Sequence, residues 1–230
     1  QAIQTTTPVE TQPASIAPSN NGITTTKTIT NSTATSTNTI PSTGATSAPG
    51  TSGNVVYTIV PGSSANYRVR EQLANINFPS DAVGKTQNIT GSIALKPDGS
   101  VDSSASKFVV NITDLTSDKS MRDRFVQRNI LQTSQYPEVV FVPTQVTGLP
   151  SPLPTSGPVN FKLSGNLTIM GVTKPVTWDV TGNVQGNQLV AQAKTSFTFE
   201  DFNIPQPQVP VVLSVNDNIT LELNVTLQRQ

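Results

Sequence analysis

The stretch Ile219-Thr-Leu-Glu-Leu-Asn-Val-Thr-Leu227 alternates apolar and polar residues without a break. Ile219, Leu221, Leu223, Val225 and Leu227 share one face, and Thr220, Glu222, Asn224 and Thr226 share the other. A side-chain period of two predicts a half-buried β-strand. The same alternation recurs upstream. Tyr57 and Ile59 open a first strand, and Tyr67, Val69 and Leu73 mark a second. Ile89, Gly91, Ile93 and Leu95 mark a third, which the turn signal Pro97-Asp98-Gly99 ends. Phe108, Val110 and Ile112, then Val139 to Val142, predict two more. Val159, Phe161 and Leu163 lead on to Leu167 and Ile169. Val176, Trp178, Val180 and Val184 follow, and then Leu189 to Phe199. With the C-terminal strand this makes nine candidates. An antiparallel sheet of that length with one apolar face must fold onto another sheet or close on itself.

One segment reads differently. Asp118 to Leu131 contains no Gly or Pro and is rich in charge, and Met121 and Phe125 stand four apart. Extended by Ile130 or Leu131, this predicts a helix with a narrow apolar stripe, N-capped by Thr116 or Ser117. Such a helix between two strands suits the end of a barrel. Asn203 to Val212 carries Pro205, Pro207 and Pro210, which excludes a central strand and leaves an edge loop or a lid over a barrel mouth.

Composition divides the chain in two. Residues 1–53 are dominated by Thr, Ser, Asn and Pro, with Glu10 and Lys27 as their charges. Such an arm buries too little apolar surface to offset its ordering entropy. Two readings stay open: a flexible stalk below a surface anchor upstream of Gln1, or a connector that self-associates by docking on a neighbouring subunit. Residues 54–230 form one domain. The first residue is Gln1, not Met, so a removed signal or anchor is expected ahead of it. Six Asn-x-Ser/Thr sequons occur, but Asn and Thr are abundant enough to account for them.

The chain carries 14 basic and 14 acidic residues and neither histidine nor cysteine. The balance gives no reason to expect nucleic acid as a partner. The two missing residue types exclude Ser-His-Asp triads, cysteine nucleophiles and imidazole or thiolate metal sites. Ser63 and Ser64 have no base nearby in sequence. Glu200 and Asp201, if on a strand, point to opposite faces and make a poor acid/base pair. No catalytic residue, metal or cofactor is expected.

Several elements, taken in order, resemble the YceI-like family over roughly residues 55–228. They are Tyr57-Thr-Ile, Val83-Gly-Lys-Thr, Ile89-Thr-Gly-Ser-Ile, Met121-Arg-Asp-Arg-Phe and Tyr136-Pro-Glu-Val-Val-Phe141. The most specific is Leu163-Ser-Gly-Asn-Leu-Thr-Ile-Met-Gly-Val-Thr-Lys-Pro-Val176. Phe199-Glu-Asp-Phe-Asn-Ile204 completes the set. The resemblance implies an all-β fold: a lipocalin-like antiparallel β-barrel with one short helix, here preceded by the Thr/Ser-rich low-complexity arm. It also implies non-catalytic binding of a long apolar ligand, a polyisoprenoid or other lipid, by a protein secreted or attached to the cell surface. The chain departs from the family where many relatives carry Asp and then His-Ser between the first two strands. Pro61-Gly-Ser-Ser64 stands there instead, which puts any contact through that histidine in doubt.

The inward-facing candidates for lining a cavity are Tyr57, Ile59, Tyr67, Val69, Phe108, Val110, Phe141, Phe161, Leu163, Trp178 and Phe197. For Trp178, core packing and channel lining overlap, because a barrel's core and its cavity wall are one face. Arg122, in the helix, is expected to anchor that helix on a rim carboxylate or loop carbonyl. The alternative function is a structural one, with the barrel as a filament subunit joined through residues 1–53.

Overall fold

The computed structural model describes residues 53–230 apart from Ile76 and Ser151. Residues 1–52 of the arm, with its stalk and connector readings, lie outside the described residues. The strands are β1 Val55–Ile59, β2 Ser64–Leu73, β3 Ser80–Thr86, β4 Ile89–Leu95, β5 Lys107–Asn111, β6 Glu138–Thr147, β7 Ser156–Ile169, β8 Val172–Gln185, β9 Gln188–Phe197 and β10 Val212–Arg229. All neighbours pair antiparallel. The order β1-β4-β5-β6-β7-β8-β9-β10 closes through a β1–β10 pairing, which makes a barrel of eight strands. The β2–β3 hairpin continues the wall beyond β1 and β4.

Closure runs through β10. On one side it pairs with β9 from Ile219 to Gln228. On the other it pairs first with β2, as far as Asn224 opposite Ser64, and then with β1, from Leu227 opposite Ile59. Between those registers four residues, 60–63, face two, 225–226, so the β1–β2 edge bulges. Ser63 stitches the bulge. Its Oγ donates to the Val60 carbonyl at 2.9 Å and accepts from the Thr226 N–H at 3.1 Å. The side chain is buried, so this is its structural role.

Inward alternation is cleanest on β9, where Ala191, Ala193, Thr195 and Phe197 are buried and their neighbours are exposed. Strand β3 escapes the sequence pattern, which predicts nine strands where the fold has ten. Its buried positions are Ala82, Gly84 and Thr86, too small to give an apolar signal. The third expected strand is therefore β4. Ile112, expected in β5, falls one residue past its end and bonds the Pro137 carbonyl through its N–H.

The expected 118–131 helix is shorter and of two kinds. Helix α1 spans Ser120–Phe125 and runs into a π-helical turn, Val126–Ile130. Thr116 is not its cap, because it bridges to Lys85 in extended pairing. Ser117 is not the cap either. Its N–H and Oγ both donate to the Asp123 carboxylate, which holds residue 117 outside the helix. The N-cap position is Lys119, which makes no side-chain cap bond. Met121 is 78% exposed rather than part of a buried stripe.

Beyond β9, Thr198 donates through N–H and Oγ1 to Asp201, closing a 3-10 turn at Glu200–Phe202. Glu200 and Asp201 therefore sit in a turn, not on the strand expected to run to Phe199. The β7–β8 turn has positive φ at both Met170 (49°) and Gly171 (79°), the form that suits a two-residue hairpin. The proline-rich segment before β10 is not a strand.

Ser63→Ala is expected to leave the partly buried Thr226 N–H without its acceptor. The loss is about 1–2 kcal/mol, read as a lower urea midpoint at unchanged slope.

Candidate functional site

The β2–β3 hairpin, α1 with its π turn, and the Ile204–Val211 segment gather at one end of the barrel, around a cavity of about 810 Å3. Pockets that hold small ligands span roughly 300–1,000 Å3. The walls are alternate residues of the strands: Tyr67 and Val69 of β2, Phe108 and Val110 of β5, Phe141 of β6, Trp178 of β8 and Phe197 of β9. A smaller space of about 100 Å3 lies deeper and is lined by Tyr57, Ile59, Phe161 and Leu163, with Phe108, Phe141 and Trp178 shared between the two. Each of the eleven side chains picked from the alternation thus borders one of the two spaces.

Sequence reasoning left out the site's other half. Ile219, Leu221 and Leu223 of β10 face the large cavity. The alternation that identified the strand already put them on one face. The helix contributes Phe125 and Ile130, and the proline segment contributes Pro207 and Val209. Nothing local in the sequence says that these two segments meet over one opening.

Space persists because inner positions are small where large ones would collide. A Cβ on Gly84 would come within 2.1 Å of the Tyr67 ring, and one on Gly165 within 2.7 Å of the Phe141 ring. In each case an aromatic ring lies over a glycine of the adjacent strand. Many wall residues, among them Leu221, Leu223, Val225, Phe108 and Phe161, are only half-buried. They pack against the buried cluster on one side and border the two internal spaces on the other.

Polar groups collect near the mouth. Arg122 Nη2 donates to Glu71 Oε1 and Nη1 to Asp118 Oδ1, both at 2.5 Å. Both Arg122 and Glu71 border the cavity and are largely shielded from solvent. The pair fastens α1 to β2 and realises the expected anchoring of the helix on a rim carboxylate. Burial pushes the Tyr67 phenol up to about 12 from 10.0, with the Arg122 charge pulling the other way. Deeper in, Trp178 packs edge-on against Phe141 with ring centroids 5.8 Å apart, and its Nε1 has no hydrogen-bond partner. Among the described residues no group of three acids forms a metal site, and no helix is long and apolar enough to cross a membrane.

A family model described as a YceI-like domain matches residues 57–227. Among curated proteins, a UPF0312 protein of Pseudomonas putida is 32% identical over 112 residues, 45% of this chain and 55% of its own length. A UPF0312 protein of Pseudomonas fluorescens is 30% identical over 126 residues, 51% of this chain and 62% of its own. The chain thus spans little more than half the length of the curated relatives it matches. Among solved structures, a polyisoprenoid binding domain from Saccharophagus degradans, implicated in plant cell wall breakdown, superposes with TM-score 0.56 at 7% identity, covering 76% of this chain and 98% of that one. BcnA of Burkholderia cenocepacia gives 0.52 at 16% identity, covering 71% and 95%. At these identities the two structures bear on the fold alone.

Arg122→Met is expected to strand the Glu71 carboxylate against an apolar wall and cost about 3 kcal/mol. The double change with Glu71→Met should recover most of that, measured as a double-mutant cycle in urea. Tyr67 carries a separate alkaline signature. Its folded pKa lies above its unfolded one, so its contribution is whole below pH 10 and is lost as pH rises from 10.0 towards about 12. Tyr67→Phe should flatten the stability curve in that window, and phenolate absorbance of the native protein should show a late step that this substitution removes.

Proposed function

The chain belongs to the YceI-like domain family, and we propose that it binds one extended apolar molecule of the polyisoprenoid or lipid class, without catalysis and outside the cytoplasm. The observation that carries this reading is the large cavity itself, whose walls are almost wholly apolar side chains with few polar groups among them. An apolar chain entering it loses contact with water over its length. Each 100 Å2 so removed contributes about 2.5 kcal/mol before the cost of ordering the chain. A closed barrel supplies such a space without exposing a sheet edge. The polyisoprenoid-binding neighbour shares the architecture that makes this possible.

The polar groups near the mouth support binding rather than reaction. Glu71 is held by Arg122, and Asp118 takes the second arm of the same guanidinium. Neither carboxylate stands against a nucleophile, and Ser63 is spent on the bulge. Placement outside the cytoplasm rests on the family resemblance.

The test is organic extraction of the purified full-length protein with mass spectrometry of the extract, followed by titration of the stripped protein with polyprenols. Trp178 is the single tryptophan and borders both spaces, so its emission reports filling. Saturable binding of one chain per protein is expected, weakened about tenfold or more by Val110→Trp, which fills the cavity. An extract without apolar compounds, together with no saturable response to any polyprenol, would sink the reading.

A further inference from the structure

The large cavity ends against a wall with space behind it. Phe108, Phe141, Trp178 and Leu223 border both the large cavity and the smaller one of about 100 Å3. Phe108 and Phe141 sit opposite each other on paired strands, and Phe141 meets Trp178 edge-on at 5.8 Å. Gly165 leaves the Phe141 ring room on the adjacent strand, since a Cβ there would come within 2.7 Å of it. The ring therefore has a seat in the wall, made by a missing side chain.

The space behind is apolar and is bordered also by Leu149, Leu153 and Pro154. An unfilled apolar space of this kind costs stability, because its lining loses contacts that nothing replaces. The barrel could remove it with one larger residue on β9, yet Ala191 and Ala193 stand there. Small residues on one side and an aromatic partition on the other keep a compartment in line with the large cavity.

We propose that the partition of Phe108, Phe141, Trp178 and Leu223 is a chain-length stop, and that the compartment behind it is a terminal subsite for the end of a longer apolar chain. This rests on the reading of the large cavity as a chain-binding site. The stop sets the longest chain the resting barrel takes whole. Phe141 is the part of it whose removal joins the two spaces, because it touches Trp178 and faces Phe108.

The test is a series of polyprenols of increasing length, titrated into the full-length protein and followed by competition with a fluorescent fatty-acid probe. For the unaltered protein, affinity should rise with length and then stop rising. In Phe141→Ala the limit should move up by at least one isoprene unit. The first chain beyond the original limit should bind about tenfold tighter than it does to the unaltered protein, the scale on which added methylenes are read in an apolar pocket. Chains well below the original limit should show no such tenfold gain, so the change in affinity depends on length. Ala193→Leu added to that variant refills the terminal compartment and should move the limit back. Phe141→Leu serves as the milder variant if truncation to alanine prevents folding, with a smaller shift in the same direction. An identical limit in the unaltered protein and in the folded Phe141 variant overturns the stop. Failure of the underlying reading looks different, because the unaltered protein then binds no member of the series.

Discussion

The register of β10 is the constraint on which the rest of the barrel depends. This strand is paired on both sides, to β9 along one edge and to β2 and then β1 along the other. A slip of one residue would turn Ile219, Leu221, Leu223, Val225 and Leu227 outward together and bring Glu222 and Asn224 into the interior. Both cavities take their walls in part from that one row: Ile219 and Leu221 the large one, Val225 and Leu227 the small one, and Leu223 both. The bulge at residues 60–63 lets two short strands follow one long partner without losing that register. Ser63 supplies the hydrogen bonds that the interrupted ladder cannot.

A barrel that binds a chain must reconcile a closed wall with an unfilled inside. Close packing stabilises a core, and each unfilled space subtracts from that. Here the unfilled volume is bounded by elements that hold their own geometry. Rings lie over glycines at Tyr67–Gly84 and Phe141–Gly165, the β8–β9–β10 wall carries long unbroken ladders, and Phe202 packs edge-on against Phe197 below the turn after β9. Rigidity in the wall substitutes for contact across the middle. Alternation in side-chain size along the inner face is therefore as much a determinant of the cavity as hydrophobicity is.

The parts of this arrangement legible in the sequence are those governed by a local period. Face assignment by alternation placed eleven side chains on the inside, because a strand's geometry leaves little choice once its register is known. What escaped has other causes. Strand β3 presents Ala82, Gly84 and Thr86 inward and so has no apolar signature. The helix start was misread because Asp123 reaches back to Ser117 and Thr116 is taken by Lys85, one an interaction across six residues and the other across thirty-one. The partner of Arg122 was foreseen only as a kind, a rim carboxylate. Its identity as Glu71 depends on how β2 lies beneath the helix.

That ion pair also explains how the mouth differs from the walls. Helix α1 is too short to hold itself by propensity, and Met121 on it is left exposed. A wholly apolar seat would fasten the helix by contacts that a ligand chain could replace, because a chain and a side chain compete for the same apolar surface. Glu71 to Arg122 to Asp118, with Ser117 bound to Asp123, fastens the helix through directed charge-assisted bonds that no apolar ligand can replace. The chemistry of the anchor is thus orthogonal to the chemistry of the cargo. Filling the cavity can then proceed without releasing the element that borders its opening, as the proposed binding of an apolar chain requires.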